Sequence, residues 1–167
     1  MNINRNLVAG IALVMSFAVA QAGPKAEDRL TPPEKGAVHI GGWLGNRIDQ
    51  CMDKGVAAQN IEALVKPFRV KLEAGTTDWR SEYWGKWFTS MALGYAYAPT
   101  EANRKVLDQA LKELIATAAP DGYIGTRALD KRLQGWDVWG RKYVLLGLIA
   151  GYDCTGDPLL LEAARRH

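Results

Sequence analysis

The sequence predicts an all-α protein built from helical hairpins, on three observations. Residues 101–118 carry Val106, Leu107, Ala110, Leu111, Leu114, Ile115 and Ala118 at helical spacing, with Asn103, Arg104, Asp108, Gln109, Lys112 and Glu113 on the opposite face. Residues 138–154 are apolar nearly all round apart from Arg141, Lys142 and Asp153, the pattern of a helix buried on most faces. Finally, Trp84-Gly85-Lys86 returns 55 residues later as Trp139-Gly140-Arg141, with Phe88, Leu93, Tyr97 and Thr100 meeting Tyr143, Leu148, Tyr152 and Thr155. Each unit is a mostly buried helix, a short Thr-containing turn and a helix with a polar face. Stacked hairpins of this kind bury their faces on one another, as in solenoids and closed α/α rings.

In chain order, the first element is a targeting segment. Arg5 supplies a basic start, residues 7–20 are apolar and uncharged, and Ala20-Gln21-Ala22 gives the small-x-small pattern at which signal peptidase cuts. Residues 1–22 are therefore predicted to be removed on export, leaving a periplasmic or secreted chain. The apolar run is short of the about 20 residues a membrane span needs, so no membrane association is expected after cleavage. Residues 23–39 are polar and Pro-rich, an extended leading segment, and residues 40–167 are the helical domain. Within it, Ile61, Leu64 and Val65 share one helical face, and Pro67 is predicted to stop that helix. Thr100 is placed to cap the helix that Glu101 opens. Asp157-Pro158 opens a last helix, with Asp as cap and Pro at the first position. That helix is still running at His167, so the domain is expected to be truncated.

The composition is 48% hydrophobic and 23% charged with a formal charge of +3, and no block of like charges supports a nucleic-acid partner. Cys51 and Cys154 are the only cysteines and His39 and His167 the only histidines, so no metal or other cofactor site is expected within the chain. Export permits a Cys51–Cys154 disulfide, and two free thiols remain the equal alternative. The connection spanning residues 119–136 is long and carries Asp121, Gly122, Tyr123, Gly125 and Trp136, the kind of loop that usually bears function.

Several segments, in order, resemble glycoside hydrolase family 127, the β-L-arabinofuranosidase-like family. They are Gly42-Trp43-Leu44-Gly45, Leu64-Val65-Lys66-Pro67-Phe68-Arg69, Glu82-Tyr83-Trp84-Gly85-Lys86-Trp87, and Asp121-Gly122-Tyr123-Ile124-Gly125. Trp136-Asp137-Val138-Trp139-Gly140-Arg141-Lys142-Tyr143 follows, then Leu145-Leu146-Gly147-Leu148 leading to Tyr152-Asp153-Cys154-Thr155-Gly156-Asp157. The resemblance implies the N-terminal part of an (α/α)6 toroid catalytic domain with β-sandwich domains after it. It also implies retaining hydrolysis of β-L-arabinofuranosides by a zinc-held cysteine nucleophile and a glutamate acid/base. Those motifs lie far downstream in the family and nothing here matches them, so neither Cys51 nor Cys154 is assigned as nucleophile and no catalytic residue is expected in this chain. Zinc is implied only for the full-length protein.

What carries over is a cleft wall for carbohydrate. Some members place histidines near the positions of Glu82, Lys86 and Lys142, and this sequence departs from that pattern at all three. Trp84 and Trp139 head the two buried helices as possible sugar platforms, with Trp136 in the loop. Glu82 and Asp137 are placed to accept from sugar hydroxyls, and Tyr123 is the loop residue expected to touch ligand. A plainer reading makes Glu82 and Asp137 helix-start charges, salt-bridged within a turn to Lys86 and Arg141. Two other functions fit the same residues. One is a non-catalytic helical module binding carbohydrate or protein. The other is a different α/α-toroid enzyme, such as an unsaturated glucuronyl hydrolase, with Arg127, Lys131 or Arg132 reading a carboxylate.

Overall fold

The computed structural model describes residues 30–71 and 79–167, so the expected signal peptide lies outside the described residues. Among the described residues there are helices and no strands: α1 (Gly42–Gln50) running into a wider turn at Cys51–Val56, α2 (Ile61–Val70), α3 (Arg80–Tyr97), α4 (Glu101–Ile115), a short 3-10 turn at Leu129–Lys131, α5 (Trp136–Thr155) and α6 (Pro158–Arg166). None is long and apolar enough to cross a membrane.

Three helix starts are set by side-chain caps. The Asn60 side chain accepts from Ala63 N at 3.0 Å, Thr100 Oγ1 from Asn103 N at 3.2 Å, and Asp157 Oδ1 from Leu159 N at 2.9 Å. Each satisfies a backbone N–H that the helix itself leaves unpaired, worth about 1 kcal/mol. Gly156 ends α5 in the left-handed region at φ 71°, where a side chain would be strained.

Pro67 does not stop α2, which continues to Val70. The reason is the face it serves. Ile61, Leu64, Val65 and Phe68 form one buried stripe, and ending the helix at Pro67 would detach fully buried Phe68 from it. The lost backbone hydrogen bond, about 3 kcal/mol in a helix interior, is offset by that burial and by Pro67 itself packing inward. Asn103 also departs from expectation. It is buried rather than wet, and its Nδ2 donates to Ala98 O at 2.9 Å, tying α4 back to the end of α3.

The core lies where α3 meets α2, α4 and α5. Trp84 has no exposed surface; it stacks on Phe88 with centroids 4.9 Å apart and meets Phe68 edge-on at 6.2 Å. Leu107, Leu114, Ile124, Val144, Leu148 and Leu160 complete the cluster.

The two repeat helices, α3 and α5, run parallel and very close. Neighbouring pairs advance together along both, from Ser81 against Gly140 through Gly85 against Tyr143 to Ala92 against Cys154. Glycine makes the approach possible. A Cβ at Gly85 would lie 2.3 Å from the Tyr143 carbonyl oxygen, and one at Gly140 1.9 Å from Ser81 Oγ. These are the equivalent glycines of the repeat.

One expectation about α5 fails. Val138, Leu145, Leu146 and Ile149 are between 37% and 55% exposed, so one whole side of this apolar helix is uncovered by the described residues. Both cysteines are free: Cys51 is exposed, and Cys154 Sγ faces Ala92 O at 3.4 Å.

Candidate functional site

Because α3 and α5 are parallel, their N-terminal ends abut, and side chains from both first turns meet on the open side. Glu82 and Lys86, one turn apart on α3, form an ion pair at 2.6 Å. From α5, the Trp139 indole comes close enough to the same carboxylate to help keep it charged. The Lys86 ammonium lies 4.9 Å from the Tyr143 ring centroid. On the other side, Lys142 Nζ sits 3.4 Å over Trp139 and 4.3 Å from the Tyr143 centroid. Such cation–π contacts contribute about 0.5–1 kcal/mol each at exposed sites. Donation from Lys86, helped by the nearby Trp139, holds the Glu82 carboxyl below the usual carboxylate range, and the pairing with Glu82 raises the Lys86 ammonium.

The structure thus brings together four of the predicted residues: Glu82, Lys86, Trp139 and Lys142. A groove of about 440 Å³ runs on from them along α3 and α5, past Thr89, Ser90, Tyr143 and Leu146. At the other flank Trp136, 50% exposed, meets Trp139 edge-on at 6.5 Å, and with Gly135 the two indoles line a shallow depression of about 300 Å³.

Tyr143 was not anticipated as part of this cluster. The signal lay in the repeat, where buried Phe88 is matched by a tyrosine whose hydroxyl has to find a polar partner.

Three predicted contacts are corrected. Trp84 is no sugar platform: both faces are packed, one against Phe88, and the space beside Gly147 is filled by its ring edge. Tyr123 is 4% exposed and Asp137 likewise, and they satisfy one another. The Tyr123 hydroxyl donates to Asp137 Oδ1 at 2.5 Å and accepts from Arg127 N, while Leu133 N donates to Asp137 Oδ2 at 2.7 Å. Burial first, and then Asp137, push the Tyr123 hydroxyl well above its usual range. Arg132, Lys71 and Arg141 surround the Tyr123 ring, with cation-to-centroid distances of 3.9, 5.4 and 5.6 Å. This assembly pins the long loop; its groups are spent on structure.

The basic residues of the glucuronyl-hydrolase reading are likewise placed. Arg132 pairs with Asp121 at 2.6 Å, Lys131 approaches Asp130 at 3.6 Å, and Arg127 is 6% exposed. Arg141 does not pair with Asp137 but reaches the His167 carbonyl. A cleft of about 740 Å³ between α4 and α6, walled largely by alkyl side chains, lies away from this cluster. Among the described residues no group of three or more His, Cys, Asp or Glu could hold a metal ion. The zinc that the family resemblance implies finds no such group among them.

Helical hairpins packed through the parallel helices α3 and α5, with an aromatic and charged cluster at their N-terminal end, make an all-α domain with an open face. The catalytic-domain family of β-L-arabinofuranosidases, GH127, matches residues 42–167, and the chain belongs to that family. Its fold is similar to that of the solved GH127 β-arabinofuranosidase BT3674, with a TM-score of 0.62 and 14% sequence identity over 79% of this chain. The chain spans 25% of that structure's length. No curated protein matches.

Proposed function

We propose that residues 42–167 form one wall of the sugar cleft in an exported glycoside hydrolase of the β-L-arabinofuranosidase type, acting on oligosaccharides derived from plant-type or other polysaccharides. The observation that carries this is the meeting of Glu82, Lys86, Trp139 and Lys142 across two parallel helices, in a chain whose family is a glycosidase catalytic domain. The wall supplies binding. Trp136 and Trp139 offer apolar surface to a sugar ring, and Lys86 and Lys142 donate to its oxygens.

Glycoside cleavage needs an acid and a nucleophile or base set a fixed distance apart across the scissile bond. Glu82 is neutralised by Lys86, and Asp137 is buried against Tyr123. In this proposal the nucleophile, the acid/base and any zinc therefore come from other parts of the intact protein, and residues 23–167 alone are inactive. The remaining parts of the proposal are export by cleavage after Ala22 and continuation of the hairpins into a closed α/α toroid.

The test is hydrolysis of a chromogenic β-L-arabinofuranoside by the product of the intact reading frame and by residues 23–167. Turnover by the former alone is expected. Turnover by the short chain would refute the division of labour, and none by either would refute the arabinofuranosidase reading.

A further inference from the structure

The geometry points to an anionic sugar, a uronic acid read through its carboxylate, as the ligand of the Lys86–Lys142 face. This deepens the cleft-wall reading and rests on it. The argument is a count of donors and acceptors. A neutral sugar presents hydroxyls that both donate and accept, and sites for such ligands typically offer carboxylates or amides as well as donors. Here the carboxylate nearest these lysines, Glu82, already pairs with Lys86 at 2.6 Å, and the groove's other carboxylate, Asp153, lies farther along α5. Asp137, its repeat equivalent, is buried and engaged by Tyr123 and Leu133. What remains open is donor capacity. Among the described residues Lys142 has no ion-pair partner within 4 Å, though its charge is felt at Glu82; its ammonium rests on two ring faces, 3.4 Å from the Trp139 centroid and 4.3 Å from that of Tyr143. A ring face leaves hydrogens of the ammonium pointing outward.

Charge agrees with this count. Glu82, Lys86 and Lys142 together carry one surplus positive charge. The N-terminal ends of two parallel helices lie beside them, each adding a partial positive charge of about half a unit. Two lysines flank one tyrosine ring, so a carboxylate seated near Tyr143 could accept from Lys142 directly and from the Tyr143 and Lys86 side. The adjoining exposed face of Trp136 takes the apolar side of the sugar ring. Phe88, at the position equivalent to Tyr143, is fully buried, so the first repeat has no counterpart of this face.

The test uses the full-length protein and titration calorimetry with trigalacturonate, its methyl ester and methyl β-L-arabinofuranoside. The acid is expected to bind about tenfold more tightly than the ester, the scale of one charge-assisted hydrogen bond, with the preference shrinking in high salt. Lys142→Gln should reduce binding of the acid to the level of the ester, and Lys142→Arg should keep the preference. Both variants should retain the native circular dichroism spectrum, and Lys142→Gln should lower the melting temperature by only a few degrees, the scale of its two ring contacts. Equal binding of acid and ester, or a preference indifferent to Lys142→Gln, overturns the inference. Hydrolysis of the arabinofuranoside with no uronate binding overturns it while leaving the cleft-wall reading intact. Failure of all three ligands overturns both.

Discussion

Gly85→Ala tests the contact on which the whole arrangement depends. The added methyl would lie 2.3 Å from the Tyr143 carbonyl oxygen and 2.5 Å from its carbon, where ordinary contact begins at 3.4 Å. The obstacle is backbone, so no rotamer change relieves it, and α3 and α5 must separate by about 1 Å. Overpacking of this kind costs about 1–3 kcal/mol, and a rigid obstacle belongs at the upper end. Alanine returns about 1 kcal/mol through its better helix propensity, leaving a net loss of about 2 kcal/mol. Separation also opens the seat of the Trp84 ring edge, which a Cβ on Gly147 would meet at 2.7 Å. The assay is urea unfolding of the full-length protein, comparing midpoints at unchanged slope. Gly55→Ala is the control, because nothing lies within 4 Å of its added carbon. A Gly85→Ala midpoint equal to or above that of the parent would refute the claim that these helices touch through glycine.

Two other perturbations follow from the site. Tyr123→Phe strips Asp137 Oδ1 and the Arg127 N–H of a buried partner, so a loss of about 1–3 kcal/mol is expected, with faster proteolysis in residues 119–135; unchanged protection there would speak against the pinned loop. The Glu82 carboxyl titrates below its ordinary 4.5, so its pairing with Lys86 contributes fully above that value and fades as pH falls through the lower native one. NMR titration of the Glu82 carboxyl checks this, and a midpoint at or above 4.5 would show the pair to be absent.

Periodicity made α4 and its Thr100 cap legible in the sequence, because a half-wet helix writes its environment into its own pattern. Pro67 misled for the opposite reason: a local rule about backbone hydrogen bonds was outweighed by the burial of Phe68, which no local pattern states. For α5 the composition is that of a buried helix, but composition records what a helix can pack against rather than what lies beside it in this chain. At the site, residue type and repeat position brought Glu82, Lys86 and Trp139 forward, and the family resemblance brought Lys142. They could not distinguish Trp84 from Trp139, or show that Asp137 and Tyr123 would satisfy each other, since both depend on partners distant in sequence. The close α3–α5 approach had a written trace, the paired glycines at 85 and 140, whose meaning only the crossing makes plain.

Those paired positions give duplicated hairpins unequal freedom. Trp84 is locked by Phe88, Phe68 and Gly147, and any change there is answered first by folding. Trp139, its twin, keeps 43% of its surface open and rests against the Lys142 ammonium and the Tyr143 ring rather than in a dry interior. The two copies of the motif thus differ in constraint, Trp84 being fixed by the scaffold and Trp139 left open at the surface. Variation in ligand preference among proteins built this way should accumulate in the second copy, while the first stays fixed.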